Sequence, residues 1–318
     1  PKSYTTGKGG VPLTVANNLT DHLPTGDTAI ALGFFDGIHL GHQAVISAAV
    51  AQRRRGLITC AFTFTVSGGV PTAKQGQGFL QTEEAKEKIL ASMGVEYVFC
   101  PDFSVFRDLS PREFVDQILV EKYRAKEIFC GENFHFGKGA AGDVASLTRL
   151  CAAHGVGVTP IPVVMDEGEP ISSTRIRRCI AQGDLPTANR LLGYPYTLRS
   201  EVIHGRQLGR RIDCPTTNQR FPKGQLIPKN GVYATVIQVG KDRYIGATNV
   251  GRKPTVGSDE VLAETYILDF DRQIYGEVIQ VEFYCFLRGE RKFASLEELS
   301  ATIQANARQA EELCQKYR

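Results

Sequence analysis

The hydrophobic pattern of this 318-residue chain changes once, near Gly193, and that change limits the folds open to it. Before it, apolar strand-like runs alternate with helical stretches. Residues 28–35 read as a buried strand, 43–54 as a helix with Val45, Ala48, Ala49 and Gln52 on one face, and 57–64 as a second strand. Thr82 stands where it can cap a helix reaching Met93, and 95–99 is a further strand. Ser110-Pro111-Arg112-Glu113 has a cap, a proline at the first helical position and a first-turn acid in helix-opening order. Short strands over 127–130 and 156–164 follow. Such alternation predicts a parallel sheet with crossover helices, an α/β domain whose ligands sit at the carboxyl ends of the strands.

Past the change, five β-rich runs (196–202, 231–239, 243–250, 264–270 and 278–287) are separated by turns containing Gly, Pro, Asn or Asp. They predict an antiparallel barrel or sandwich. Ser295-Leu296-Glu297-Glu298 is a capping box opening a last helix, with Leu296, Leu299, Ile303, Ala307 and Ala310 on one stripe. The boundary falls in 192–195, giving domains 1–192 and 193–318.

Composition narrows the function classes. Lys plus Arg number 37 against 34 Asp plus Glu, and the resulting +3 gives no charge argument for a nucleic-acid partner. No apolar run approaches the ~18 residues of a membrane span. The eight Cys are scattered without a Cys-x-x-Cys pair, so a zinc site or redox dithiol has little support. A cytoplasmic protein with reduced thiols is expected, and Pro1 in place of an initiator Met is expected of processing or trimming.

Two segments stand out before the change. The first is Gly33-Phe34-Phe35-Asp36-Gly37-Ile38-His39-Leu40-Gly41-His42, directly after the first strand. Gly37 permits a sharp turn, and Gly41 permits close approach of backbone to a ligand. His39 and His42 are three apart and share one face of the opening helical turn, beside its free N–H groups: an anion site with two extra donors. A zinc pair is the rival, but no third ligand lies at motif spacing. The second is Ser172-Ser173-Thr174-Arg175-Ile176-Arg177-Arg178. One serine caps a helix, the other hydroxyl and Thr174 can meet an anion, and Arg177 can fork onto phosphate. Alone, this segment fits a solvated basic helix face equally well.

Together these segments resemble the nucleotidyltransferase superfamily with the His-x-Gly-His motif. With Cys130-Gly131-Glu132-Asn133-Phe134-His135-Phe136-Gly137-Lys138 and Gly142-Asp143, the match narrows to the bacterial bifunctional riboflavin kinase/FAD synthetase family. The resemblance implies a Rossmann-like nucleotidyltransferase domain that adenylylates FMN with ATP. It assigns ATP and phosphate to Gly33, Phe34, Gly37, His39, Gly41, His42, Asn133, Ser173, Thr174 and Arg177. His39, His42 and Arg177 would align the phosphates and neutralise departing pyrophosphate.

After the boundary, the loop 205–218 combines Gly and Arg with Cys-Pro-Thr-Thr-Asn. Thr216 and Asn218 point the same way on an extended chain and offer neutral oxygens to Mg²⁺. An ordinary basic loop explains these residues equally well. Downstream, however, Gly-Arg…Pro-Thr-x-Asn, Asn230-Gly231-Val232-Tyr233-Ala234, Thr248-Asn249-Val250-Gly251-Arg252-Lys253-Pro254-Thr255, 263–270 and Tyr275-Gly276 resemble, in order, the riboflavin kinase domain. The resemblance implies a six-stranded barrel that binds ATP and flavin through Gly209, Arg210, Pro215, Thr216, Asn218, Asn249 and Glu264. Glu264 would be the base that takes the riboflavin 5′-hydroxyl proton, and Thr216 and Asn218 would hold Mg²⁺ with ATP.

Three departures accompany the match. The family usually has an acid and Pro-His-Pro after the second strand, where this chain has Thr65-Val66-Ser67-Gly68-Gly69-Val70-Pro71; Lys74 is expected to compensate in part. Asp213 stands where Gly is preferred, and Asn306 where Asp is common. The expectation is a two-step enzyme turning riboflavin into FMN and then FAD, working as a monomer or weak homo-oligomer on small-molecule substrates. Its rivals are a kinase with a degenerate first domain, a flavin-binding regulator without turnover, and an RNA-binding barrel fused to a nucleotidyltransferase.

Overall fold

The computed structural model describes residues 3–4, 12–18, 24–65, 78–204, 215–255 and 258–318. The chain divides into two compact units: Pro1–Gln77 with Gln81–Ser172, and Gly78–Leu80 with Ser173–Arg318.

The first unit holds strands β1 (Ser3–Tyr4), β2 (Leu13–Ala16), β3 (Thr28–Leu32), β4 (Ile58–Phe62), β5 (Tyr97–Phe99), β6 (Ala125–Gly131) and β7 (Gly157–Ile161), and a hairpin of β8 (Met165–Asp166) and β9 (Glu169–Pro170). Its helices are α1 (Leu40–Val50), α2 (Glu83–Ser92), α3 (Pro111–Glu113, continuing with π-helical winding over Phe114–Lys122) and α4 (Val144–Ala152). The main sheet runs β1-β2-β5-β4-β3-β6-β7. All neighbours are parallel except β1 and β2. From β3 the chain winds outward through β4 and β5, then crosses back to β6 and β7. The order therefore reverses between β3 and β6, and the carboxyl ends of those two strands flank a crevice of the kind where such sheets bind ligands.

β3 is buried on both faces, as an internal parallel strand must be. Ile30 and Leu32 enter an aromatic layer with Phe62, Phe99, Phe106 and Tyr123. Ala29 and Ala31 enter the opposite layer with Val45, Ile46 and Ala49 of α1. The strand ends at Leu32, three residues before the sequence pattern does, because Phe35 takes a left-handed conformation with φ 51°. α1 starts at Leu40 and buries Val45, Ile46 and Ala49, with the expected Ala48 half-buried against the same core and Ile46 added to it. Thr82 accepts from the Ala85 N–H, and Ser110 with Glu113 forms a reciprocal capping box.

The second unit contains α5 (Ser173–Gln182), α6 (Leu185–Leu192), β10 (Tyr196–Ile203), β11 (Thr216–Arg220), β12 (Gly231–Val239), β13 (Asp242–Thr255), β14 (Ser258–Ile267), β15 (Val278–Arg288) and α7 (Leu296–Cys314). The strands close a barrel in the order β10-β11-β14-β13-β12-β15. Pairings along it are antiparallel. Thr235, Thr248 and Thr265, all fully buried, link hydroxyls across three strands at 2.8 and 2.9 Å. α6 is tied to the barrel by Asn189, whose amide donates to the Phe283 carbonyl and whose oxygen accepts from the Tyr196 N–H, both at 2.8 Å.

α7 buries Ala307, Ala310 and Cys314, the last two in a cluster with Ala234, Val236 and Ile245. Leu296, expected on the buried stripe, is 48% exposed. Beyond α7, Arg243 clamps the chain end. Its Nε donates to the Tyr317 carbonyl at 3.0 Å, and its two terminal nitrogens fork onto Glu282 at 3.2 and 2.9 Å. Tyr317 stacks on Tyr284, ring centroids 4.2 Å apart.

Candidate active sites

At the carboxyl end of β3 the chain turns on residues that leave little alternative. A Cβ on Gly33 would lie 2.6 Å from the buried Phe35 ring. Gly37 has φ 81°, a conformation other residues adopt at a cost. These two glycines let the chain fold Phe35 inward and then enter α1.

His39 is the N-cap of α1: its Nδ1 accepts the His42 backbone N–H at 3.3 Å. The lone pair on Nδ1 is thus committed to the helix, and the neutral ring carries its proton on Nε2. The two rings stack with centroids 3.6 Å apart and 18° between planes. Gly41 makes that possible, since a Cβ there would stand 3.2 Å from the His39 ring. The sequence places both histidines on one helical face; the structure brings them together as a cap and a first-turn residue. The first turn of α1 contains no acidic side chain.

Across the switch point, Asn133 sits in the turn after β6, its Oδ1 3.2 Å from an ideal Cβ on Gly131. Its carbonyl pairs with His135 Nδ1 at 2.9 Å. Beside this turn lies a cavity of about 410 Å³ lined by Gly33, Phe62, Phe64, Phe103, Phe106 and Phe134 among others, with Arg107 and Lys138 as cations. Phe34 faces Phe64 at 4.9 Å, and Phe64 faces Phe103 at 5.1 Å. Sequence reading missed this cavity. The available signal was the crowding of phenylalanine between 62 and 136.

Ser173 and Thr174 form the first turn of α5 in the second unit. Arg177 is buried there, and its Nε donates to the Gly78 carbonyl at 2.9 Å. Ser67, Lys74, Gly209, Arg210 and Asp213 lie outside the described residues.

In the barrel, Glu264 on β14 is the centre of a polar row. Asn218 of β11 pairs across it on one side, and Asn249 of β13 on the other. Thr216, two residues before Asn218 and on the same strand face, donates its hydroxyl to Glu264 Oε1 at 3.0 Å. Pro215 immediately precedes this strand. Donation leaves lone pairs on the Thr216 oxygen. With the Asn218 amide oxygen and the Glu264 carboxylate this is an oxygen-only set, which suits Mg²⁺ when nucleotide phosphate and water supply the remaining ligands. Glu264 and Asn249 open into a cavity of about 350 Å³, roofed by Leu299, Ile303 and Asn306 of α7.

Residues 22–175 match the FAD synthetase family, and residues 192–314 match the Riboflavin kinase family. A bifunctional riboflavin kinase/FMN adenylyltransferase of Listeria monocytogenes is 39% identical over 90% of this chain and 92% of its own. This chain belongs to that bifunctional family. A family member from Escherichia coli K12 is 34% identical, with 88% of this chain and 90% of that one covered. Among solved structures, the Macrolide-efflux Protein from Streptococcus pneumoniae superposes with a TM-score of 0.85 and 30% identity, over 94% of this chain and 98% of that one. The chain is thus an enzyme of flavin cofactor biosynthesis, with a kinase and an adenylyltransferase domain. Among the described residues, no helix is long and apolar enough to cross a membrane.

Proposed function

We propose that the Glu264 cavity phosphorylates riboflavin and that the His39/His42 turn, Asn133 and the aromatic cavity serve FMN adenylylation, with the functional boundary after Leu192. The observation that carries the kinase assignment is the Thr216–Glu264 hydrogen bond inside the Asn218–Glu264–Asn249 row. Glu264 takes the proton of the riboflavin 5′-hydroxyl as the hydroxyl oxygen attacks the γ-phosphorus of ATP, the bond from that phosphorus to the bridging oxygen breaks and ADP leaves with the electron pair. Thr216 orients the carboxylate for that transfer. Thr216 and Asn218 would hold Mg²⁺, which when bound neutralises phosphate charge. The family resemblance adds Gly209 and Arg210 as phosphate-binding residues.

In the adenylyl step the FMN phosphate is itself the nucleophile, so the protein need only align it and stabilise departing pyrophosphate. The His39 Nε2–H, His42 and the N-terminus of α1 present donors for that purpose, and the family resemblance assigns Ser173, Thr174 and Arg177 to the same chemistry. The phenylalanine-lined cavity beside Gly33 suits a planar apolar ring such as isoalloxazine. We place the enzyme in the cytoplasm as a monomer or weak homo-oligomer, with no nucleic-acid or membrane partner. Incubation with riboflavin, ATP and Mg²⁺, followed by chromatography of the flavins, tests the assignment. FMN followed by FAD is expected. Unchanged riboflavin overturns the kinase assignment, and FMN without FAD overturns the adenylyl assignment.

A further inference from the structure

The segment leaving β15 lines the kinase cavity with side chains of alternating hydrogen-bond character: Arg288, Glu290 and Arg291. Both arginines are pinned by α7. Arg288 Nε donates to Asn306 Oδ1 at 3.0 Å, and its Nη1 donates to the Gly289 carbonyl at 3.0 Å. Arg291 Nη2 donates to Thr302 Oγ1 at 2.8 Å, and the group lies 3.4 Å from Glu298. Both guanidiniums also lie over the Phe293 ring, at 5.6 and 4.8 Å. A guanidinium has five N–H donors in a rigid fork, so these bonds leave donors for a ligand.

Glu290 is positioned by a different device. Its Oε1 lies 2.0 Å from where a Cβ on Gly251 would stand. The bare backbone of Gly251 is therefore the seat of a carboxylate, two residues along β13 from Asn249, the ladder partner of Glu264.

We propose that Glu290 is the specificity residue for the flavin ring, accepting the N3–H of the pyrimidinedione while Arg288 and Arg291 donate to the carbonyls on either side. The proposal rests on the kinase assignment of this cavity. The outer edge of isoalloxazine presents carbonyl, N–H, carbonyl, and the cavity lining supplies one carboxylate acceptor and two guanidinium donors to match that composition. An ionised carboxylate can only accept, so a ring edge without the central N–H leaves it facing a group it cannot bond.

The test compares riboflavin with 3-methylriboflavin as substrates of the full-length enzyme with MgATP. A charge-assisted hydrogen bond predicts that the wild type favours riboflavin in kcat/KM by roughly 10–100-fold. Glu290→Ala should lower kcat/KM for riboflavin to near the analogue's value, leave the analogue unchanged or improved, and leave the KM for ATP and the thermal midpoint unmoved. Gly251→Ala displaces the carboxylate without changing any charge and should collapse the same preference. Equal wild-type use of both flavins, or an equal loss on both in Glu290→Ala, overturns the proposal. FMN formation by the wild type reports separately on the kinase assignment, so a cavity that phosphorylates without discriminating sinks this inference alone.

Discussion

Thr216 Oγ1 donates to Glu264 Oε1 at 3.0 Å, joining two strands that the sequence separates by 48 positions. A hydroxyl aimed at one carboxylate oxygen fixes the plane of the group.

Replacing the base should therefore separate the two activities. Glu264→Gln keeps the shape and should lower FMN formation by about 10²–10⁴-fold, the usual worth of a general base. Thr216→Val should cost about tenfold through loss of one charge-assisted hydrogen bond. FAD formation from supplied FMN should be unchanged in Glu264→Gln, as followed by chromatography of the products.

His39 has two duties that substitution can pull apart. Its Nδ1 caps α1, and under the proposed assignment its Nε2–H donates to phosphate. His39→Ala should lose both, lowering stability by about 1 kcal/mol and strongly reducing FAD synthesis. His39→Asn restores a capping oxygen, so the thermal midpoint should recover while FAD synthesis stays low. Recovery of both would show that the ring serves only as a cap.

The aromatic cavity makes a prediction about affinity. Phe64→Ala removes a half-buried ring that contacts Phe34 and Phe103. The KM for FMN in the adenylyl step should rise about 5–10-fold, as expected for losing one aromatic contact with a ring. The KM for riboflavin in the kinase step should not move.

Buried thiols give the chain a defined alkaline limit. Burial pushes Cys100 and Cys151 up to about 12 and Cys130 and Cys314 up to about 11, and raises Cys60 as well. Below the ordinary thiol value near 9, folded and unfolded chains are both protonated, and this contribution to stability is fully present. Above it the unfolded chain ionises first, so stability falls as pH climbs from about 9 towards 11–12. Denaturant midpoints across that window should decline steadily. At pH 8 these five cysteines should react with iodoacetamide only after unfolding, as read by mass spectrometry.

Much of the architecture was legible because its periodicities are strong. The alternation of β3, β4 and β6 with helices, the caps at Thr82 and Ser110, and the histidine turn all follow from local chemistry. β11 was not legible. Thr216-Thr217-Asn218-Gln219-Arg220 has no apolar alternation, and its buried Gln219 donates its amide to the Ser200 carbonyl of β10 and the Ile279 carbonyl of β15. β2 was hidden in a polar, glycine-rich stretch because four residues carry too little pattern to register, although β5 pairs with it in parallel. His39 as a cap was missed because imidazole is rarely used there. The aromatic cavity draws on residues from several separate segments, so only the folded chain assembles it.

β11 is a stave of the cylinder as well as the bearer of Thr216 and Asn218. No partly opened barrel can keep the kinase pocket intact, since loosening that stave scatters its oxygen donors. Catalysis thus becomes a gauge of closure: loss of FMN production and loss of β-sheet circular dichroism should share one midpoint, and no expanded intermediate should retain turnover.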